Sequence, residues 1–363
     1  MTSSCSILIF GASYGSLLGI KLLGAGHDVT LVCRPATAQL IEREGIRVRM
    51  PNASGGECFE IDSHRLPGRL SAIAPADVEL DDHDLVVLAM QEPQYGAPGL
   101  REALVRAARA RLPCLSIMNM PPLPYLARIA SLDVQPLRDV YTDPAVWDDF
   151  DPACMTLCSP DPQAFRPPNE KPNVLQVRLA TNFKTATFAS ERHNALLNRL
   201  QTDIEAARFP VGEHPIALPV KLKVHDSPFV PFAKWCMLLA GNYRCVEPHA
   251  MRSIAAAVRD DAGTARAVYE WVAQVCRTLG ARDDDLVPFD KYAAAATSLT
   301  APSSAARALA GGATHIERVD RLVQAVAAGI GMRLDELDRT VDVVDAWIDS
   351  NRRTKAGRNR TAA

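Results

Sequence analysis

Two glycines four positions apart and one lysine in an apolar segment are the residues of this sequence best suited to chemistry. The run Gly11-Ala12-Ser13-Tyr14-Gly15 follows the apolar stretch Ser6–Phe10 and precedes a segment rich in leucine. Glycines at such a turn let the backbone approach a pyrophosphate, and the helix that follows aims free N–H groups at it. The same glycines also serve close packing of a helix on a strand. A full G-x-G-x-x-G is absent, with Ser13 near the place of the second glycine. The lysine is Lys234, within Phe232-Ala233-Lys234-Trp235-Cys236-Met237-Leu238-Leu239-Ala240. Burial among such neighbours lowers a lysine's pKa and makes it a proton donor. A lysine that extends its amine to solvent fits the pattern equally well.

The elements around the glycine turn decide its meaning. Ser6–Phe10 reads as a buried parallel strand, 17–23 as a helix ending at Gly24-Ala25-Gly26, and Val29–Cys33 as a second strand. Together they form a βαβ unit, which favours a dinucleotide site. Sites for NAD place an acid at the end of the second strand to hold the ribose 2′-hydroxyl. Here that position reads Val32-Cys33-Arg34-Pro35. Arg34 suits a 2′-phosphate instead, because a guanidinium presents a two-pronged donor to phosphate, so the expected cofactor is NADP(H). Further strands are expected over Asp84–Met90 and Pro113–Met118, with a helix over 99–111 between them. Ligands lie beyond the carboxyl ends of such strands, which nominates Met90, Gln91 and Asn119 as cofactor neighbours, although Asn119 also reads as a turn residue. Val174–Leu179 and Thr185–Phe188 are expected to extend the sheet as antiparallel strands, and Pro219–Val224 to add another.

The domain boundary is expected near His225, giving a nucleotide-binding domain over 1–225, a helical domain over 226–350 and a basic, disordered tail over 351–363. Ser227-Pro228 reads as the start of the helix that carries Lys234. Thr314-x-x-Glu317 matches a capping box, which makes His315 the first residue of a helix running to Ala328 and disfavours its imidazolium form. Nine scattered cysteines without a Cys-x-x-Cys pair indicate free thiols and no metal site. With 40 basic and 42 acidic residues, no global field exists to attract nucleic acid or an anionic membrane. The start of the chain carries no basic region of a signal peptide, and no apolar run is long enough to span a bilayer. A cytoplasmic protein acting on a small molecule is expected, with a homodimer left open.

The chain resembles the ketopantoate reductase family, within the wider 6-phosphogluconate dehydrogenase-like group, over about Ser6 to Ala328. Three segments carry the likeness: Ile9-Phe10-Gly11 through Ala25-Gly26-His27-Asp28-Val29-Thr30-Leu31-Val32-Cys33-Arg34, then Ser116-Ile117-Met118-Asn119, then Phe232-Ala233-Lys234-Trp235. The resemblance implies an α/β fold, with a Rossmann-type dinucleotide-binding domain followed by an all-helical 6-phosphogluconate dehydrogenase-like domain. It implies cofactor contacts from Gly11, Ala12, Ser13, Tyr14, Gly15, Arg34, Met90, Gln91 and Asn119. It implies substrate contacts from Asn119, Asn242 and Ser303, and catalysis by Lys234 with His315 in support. The expected activity is NADPH-dependent reduction of a 2-oxo acid or related carbonyl compound to the hydroxy product.

The departures fall on the expected pocket. The glycine turn is shortened, Gln91 stands in place of a lysine, Leu238 of an asparagine and His315 of a glutamate, and Asn119 is followed by Met120-Pro121-Pro122. They point to a substrate other than ketopantoate. An imine-reducing, opine-type dehydrogenase and a non-catalytic NADP-binding sensor are the alternatives. A short-chain dehydrogenase is set aside because no Tyr-x-x-x-Lys occurs. A ketol-acid reductoisomerase is set aside because the helical half has no Asp-x-x-x-Glu.

Overall fold

The structure, a computed structural model, describes residues 4–51, 58–211 and 214–361. Met1–Ser3 and residues 362–363 of the expected tail lie outside the described residues. The chain divides into two compact units: Met1–Met90, Gln94–Arg128 and Ala145–Pro231 make the first, and Gln91–Pro93, Ile129–Pro144 and Phe232–Ala363 the second. The sequence gives no sign of the two excursions, and the units change over at Pro231/Phe232, past the expected His225.

In the first unit the strands are β1 (Ser6–Phe10), β2 (Asp28–Val32), β3 (Arg47–Met50), β4 (Phe59–Asp62), β5 (Leu70–Ile73), β6 (Leu85–Leu88), β7 (Cys114–Ile117), β8 (Met155–Ser159), β9 (Gln163–Phe165), β10 (Val174–Leu179), β11 (Phe183–Ala186), β12 (Phe209–Val211), β13 (His214–Ile216) and β14 (Leu222–His225). Its helices are α1 (Tyr14–Gly24), α2 (Pro35–Glu44), α3 (Leu100–Arg109), α4 (Leu123–Leu126) and α5 (Glu191–Ala206). The main sheet has the order β14-β11-β8-β7-β6-β1-β2-β5, with every described pairing parallel except β8 with β11. Ile7, Leu8, Ile9 and Phe10 are all buried, as a strand covered on both faces requires.

A second sheet, β4-β3-β10-β9, was not expected. Val174–Leu179 belongs to it as β10, parallel to β3, and does not extend the main sheet beside β11. Val48 and Met50 on β3 are buried, while Arg47 and Arg49 between them are only half-buried. That alternation suits a sheet with one apolar face.

Lys21 is 1% exposed on α1, beneath this core. Its ammonium donates to the carbonyl oxygens of Leu218 (3.3 Å) and Pro219 (3.0 Å) and lies 5.1 Å from the centre of the Phe209 ring. Burial, helped by the Lys221 charge, lowers its pKa from 10.5 to about 7. Below about 7 both the folded and unfolded chains hold the proton; from there up to 10.5 the unfolded chain binds more, so stability rises with pH. Between pH ~7 and ~9 the gain is expected to be roughly 2 kcal/mol. Urea melts of wild type and Lys21→Met across that window check this; equal pH slopes in the two proteins would remove Lys21 as the cause.

The second unit is helical: α6 (Ala233–Met237), α7 (Ile254–Arg259), α8 (Ala262–Leu279), α9 (Phe289–Ala296), α10 (Ser304–Ala310), α11 (Val319–Gly329) and α12 (Asp335–Thr361). Side chains cap three of them, Ser253 on α7, Asp261 on α8 and Ser303 on α10. Three expectations are corrected. The α-helix carrying Lys234 does not start at Ser227-Pro228: Ser227 Oγ accepts from Phe229 N (3.2 Å) as a cap would, but the chain then forms a tight 3-10 turn, Val230–Phe232, and α6 begins only at Ala233. The capping box at Thr314 and Glu317 does not form, and α11 starts four residues after His315. The expected disordered tail continues α12 to Thr361. None of the described helices is long and apolar enough to cross a membrane.

Candidate functional site

The first unit brings the carboxyl ends of β2, β1, β6 and β7 level. Phe10 is opposite Val32 on one side and Leu88 on the other, and Leu88 is opposite Ser116. Gly11 N donates to Val32 O (2.9 Å) and Ala89 N to Phe10 O (2.8 Å), so the row continues past the strands. Gly11, Arg34, Met90 and Asn119 therefore lie along one edge of the sheet, each within two residues of a strand end. This is the edge at which open parallel sheets bind ligands, and it contains the change of direction in strand order between β1 and β6.

The glycines have packing roles here. Gly11 has φ +108°, and a Cβ on it would come within 2.6 Å of Met90 Cγ and 2.7 Å of Ala89 O. A Cβ on Gly15 would come within 2.6 Å of Ile9 Cγ2. Both hold α1 against the sheet, and in doing so set where the helix begins. Ser13 is the N-cap of α1, but its side chain makes no cap bond, and the first turn carries no acid. Ser16 Oγ turns inward to Ala12 O (2.7 Å).

Two features of this edge were not read from the sequence. Tyr14 OH donates to Pro162 O (2.6 Å) and its ring meets Phe183 edge-on at 5.7 Å. The loop between β8 and β9 is thus tied to the first residue of α1. Just past β9, Arg166 has a buried Nε with no hydrogen-bond partner. Burial lowers its pKa, and the Arg34 charge adds to the effect. Burial also pushes the Cys33 thiol up to about 11, against the pull of both Arg166 and Arg34.

In the second unit, Lys234 is half-buried on the first turn of α6, between buried Ala233 and Trp235. Phe232 and Trp235 stack with ring centres 4.2 Å apart. After α6 the backbone widens into a π-helical turn, Leu238–Asn242, a distortion often found beside functional residues. Tyr292 OH donates to Met237 O (3.0 Å) and Cys245 Sγ to Gly241 O (3.3 Å), which holds the widened turn. Leu238 is buried at its start and Asn242 half-buried at its end. The Ser303 hydroxyl donates to Asn242 O (2.7 Å) and accepts from Ala306 N (3.1 Å), so it caps α10 and fixes the end of the π turn.

His315 is exposed on a segment without regular secondary structure, with Nδ1 3.2 Å from Thr314 Oγ1. Its pKa is lowered by burial and by Arg352 and Lys355 on α12; a helix start plays no part. The neighbouring Glu317, read as a cap, is instead 7% exposed. Its Oε1 accepts from the Glu92 backbone N–H (3.4 Å). Glu92 is also buried, and its carboxylate accepts from Thr142 N (2.9 Å) and Oγ1 (3.0 Å). Burial nevertheless pushes its carboxyl above the usual range. Two buried glutamates are thus bonded, the side chain of one to the backbone of the other, and neither burial was read from the sequence; a Pro-flanked Glu92 beside exposed Gln91 gave no periodic signal.

A separate cavity of about 420 Å³ lies at the opposite, amino ends of the strands, lined by Cys5, His83, Asp84, Arg111, His193 and Arg199. Open parallel sheets bind ligands at the other, carboxyl ends of their strands. The nine cysteines are free, and no cluster able to hold a metal occurs among the described residues.

No family model and no curated protein matches the chain. Solved structures do. A ketopantoate reductase from Ralstonia eutropha JMP134 matches with TM-score 0.60 at 18% identity, over 96% of this chain and 99% of the other. A 2-dehydropantoate 2-reductase from Geobacter metallireducens GS-15 matches with TM-score 0.61 at 15% identity, over 94% and 99%. The fold is that of the ketopantoate reductases. A D-mandelate dehydrogenase, solved with NADH and anilino(oxo)acetate, shares it with TM-score 0.63 at 15% identity, over 96% and 99%. The ketopantoate reductase fold is therefore also the fold of an enzyme named for a different 2-hydroxy acid.

Proposed function

We propose that this protein is an NADPH-dependent reductase of a 2-oxo acid or related carbonyl compound. The observation that supports it most is the strand-end row in the first unit, with the glycine turn at β1, Arg34 beyond β2, and no acid at the end of β2. Arg34 would hold the ribose 2′-phosphate, and the uncapped first turn of α1 would face the pyrophosphate. Met90, Gln91 and Asn119 would complete the dinucleotide contacts. NADPH, when bound, supplies hydride to a carbonyl carbon. Lys234 would act on the carbonyl oxygen, giving a proton or stabilising the developing alkoxide as an ammonium. Asn242, at the end of the π turn, would orient the substrate. Ser303 would do so only by fixing that turn, since its hydroxyl already donates to Asn242 O and accepts from Ala306 N. The structural neighbours named for 2-oxo acid reduction and 2-hydroxy acid oxidation are consistent with this chemistry. The free thiols fit a reducing compartment, the cytoplasm.

Ketopantoate is expected to be a poor substrate. Leu238 is buried and apolar, and His315 is exposed beside Thr314, where the sequence resemblance expects an asparagine and a glutamate. Each matched hydrogen bond lost from a buried site costs about 1–3 kcal/mol. A kcat/KM for ketopantoate in the ordinary enzymatic range would show that those positions do not select the substrate. His315→Ala is expected to slow turnover less than loss of Lys234, and a steady-state comparison of the two variants checks the order.

A further inference from the structure

We propose that Arg166 is a second cation for the ribose 2′-phosphate, so that two guanidiniums, Arg34 and Arg166, select the phosphorylated dinucleotide. The proposal rests on the NADPH reading above and deepens it.

Arg34 is exposed directly after β2, at the place where dinucleotide folds meet the adenosine ribose. Arg166 arrives from a distant part of the sequence and directly follows β9. Its approach is fixed at two points. Tyr14 OH holds the start of the segment through Pro162 O (2.6 Å). Phe165 pairs with Gln176 on β10, and Arg178 lies over its ring at 5.0 Å. The chain is therefore anchored immediately before Arg166 leaves it, and the anchor runs to the first residue of α1.

Other half-buried arginines of the unit face carboxylates or carbonyl oxygens, and Arg199 has Asp203 3.5 Å from its Nε. Arg128 donates to Met155 O (2.9 Å) and Thr187 O (2.8 Å), and Arg49 pairs with Glu60 and Glu170 at 2.8 Å each. Arg166 has a buried Nε without a hydrogen-bond partner, and the groups that act on its charge are Arg34 and Cys33, with no carboxylate among them. Two like charges that feel each other, with the neutral Cys33 thiol beside them, make an electrostatic arrangement that costs stability. A phosphate dianion offers each guanidinium two oxygens and cancels both charges. A pyrophosphate further along the edge does not explain Arg34, which stands past the second strand and not at the glycine turn.

The test is direct binding to the full chain, read by fluorescence of the reduced nicotinamide, for NADPH and NADH on wild type, Arg34→Ala, Arg166→Gln and Arg166→Lys. Arg166→Gln keeps much of the stem's packing and removes the charge. It is expected to weaken NADPH about 10–100-fold while NADH changes less than about twofold. Arg166→Lys keeps the charge without the fork and is expected to fall between Gln and wild type. NADH affinity doubles as the control for folding. An equal loss for both nucleotides in Arg166→Gln and Arg166→Lys, or no loss for either, overturns the proposal. If Arg34→Ala loses NADPH affinity and Arg166→Gln does not, Arg166 alone is excluded and the NADPH reading stands. A wild type that prefers NADH, or binds neither, overturns both.

Discussion

Lys234→Ala is expected to lower kcat by about 10²–10⁴ while NADPH still binds, the range for loss of a group that transfers a proton in the transition state. The lysine stands on the first turn of α6, between buried Ala233 and Trp235, with the Phe232–Trp235 stack fixing that turn. The side chain is half-buried, so its removal leaves a modest gap and the fold should persist. Single-turnover kinetics with NADPH, together with the nucleotide dissociation constant, separate chemistry from binding. Loss of binding in step with turnover would make Lys234 a structural residue. Unchanged turnover would move the reading towards a sensor.

Gly11→Ala should have the second largest effect, on fold and nucleotide together. A side chain at φ +108° costs about 1–2 kcal/mol, and the nearest obstacles include the Ala89 carbonyl oxygen, which belongs to the backbone and cannot rotate away. The turn must shift, and α1 with it. NADPH and NADH should weaken in parallel by an order of magnitude or more, with a Tm several degrees lower. Wild-type affinity and Tm in this variant would show that the turn tolerates the change and that its geometry does not set the site. The contrast with Arg166→Gln is useful, because that substitution should separate the two nucleotides and this one should not.

The parts legible in the sequence were those whose signal is local. Ser6–Phe10 lies deep in a parallel sheet, so an apolar run marks it, and Asp28–Val32 beside it keeps Val29, Leu31 and Val32 buried. The stretch from 140 to 225 was opaque because its strands are short and some have one apolar face. Val174–Leu179 has the composition of a sheet strand, but nothing in it says which sheet. Thr314 and Glu317 have the spacing of a capping box, yet the Tyr243 hydroxyl donates to Glu317 O (2.5 Å) and accepts from Val319 N (3.0 Å), keeping the segment out of helix until Val319. That tyrosine is more than 70 residues away, beyond any local pattern. The π turn after Lys234 is likewise held from a distance by Tyr292, 55 residues beyond Met237. Arg34 could be read from its place after a strand; Arg166 could not, since its meaning comes from what lies beside it.

The central claim is that this chain reduces a 2-oxo acid with NADPH. Its most direct test is the loss of reduced-nicotinamide absorbance when the purified protein meets NADPH and a panel of 2-oxo acids of varied side chain. The account predicts oxidation with at least one member, slower with NADH, and about 10²–10⁴-fold slower in Lys234→Ala. Tight NADPH binding without oxidation by any member of the panel would contradict it.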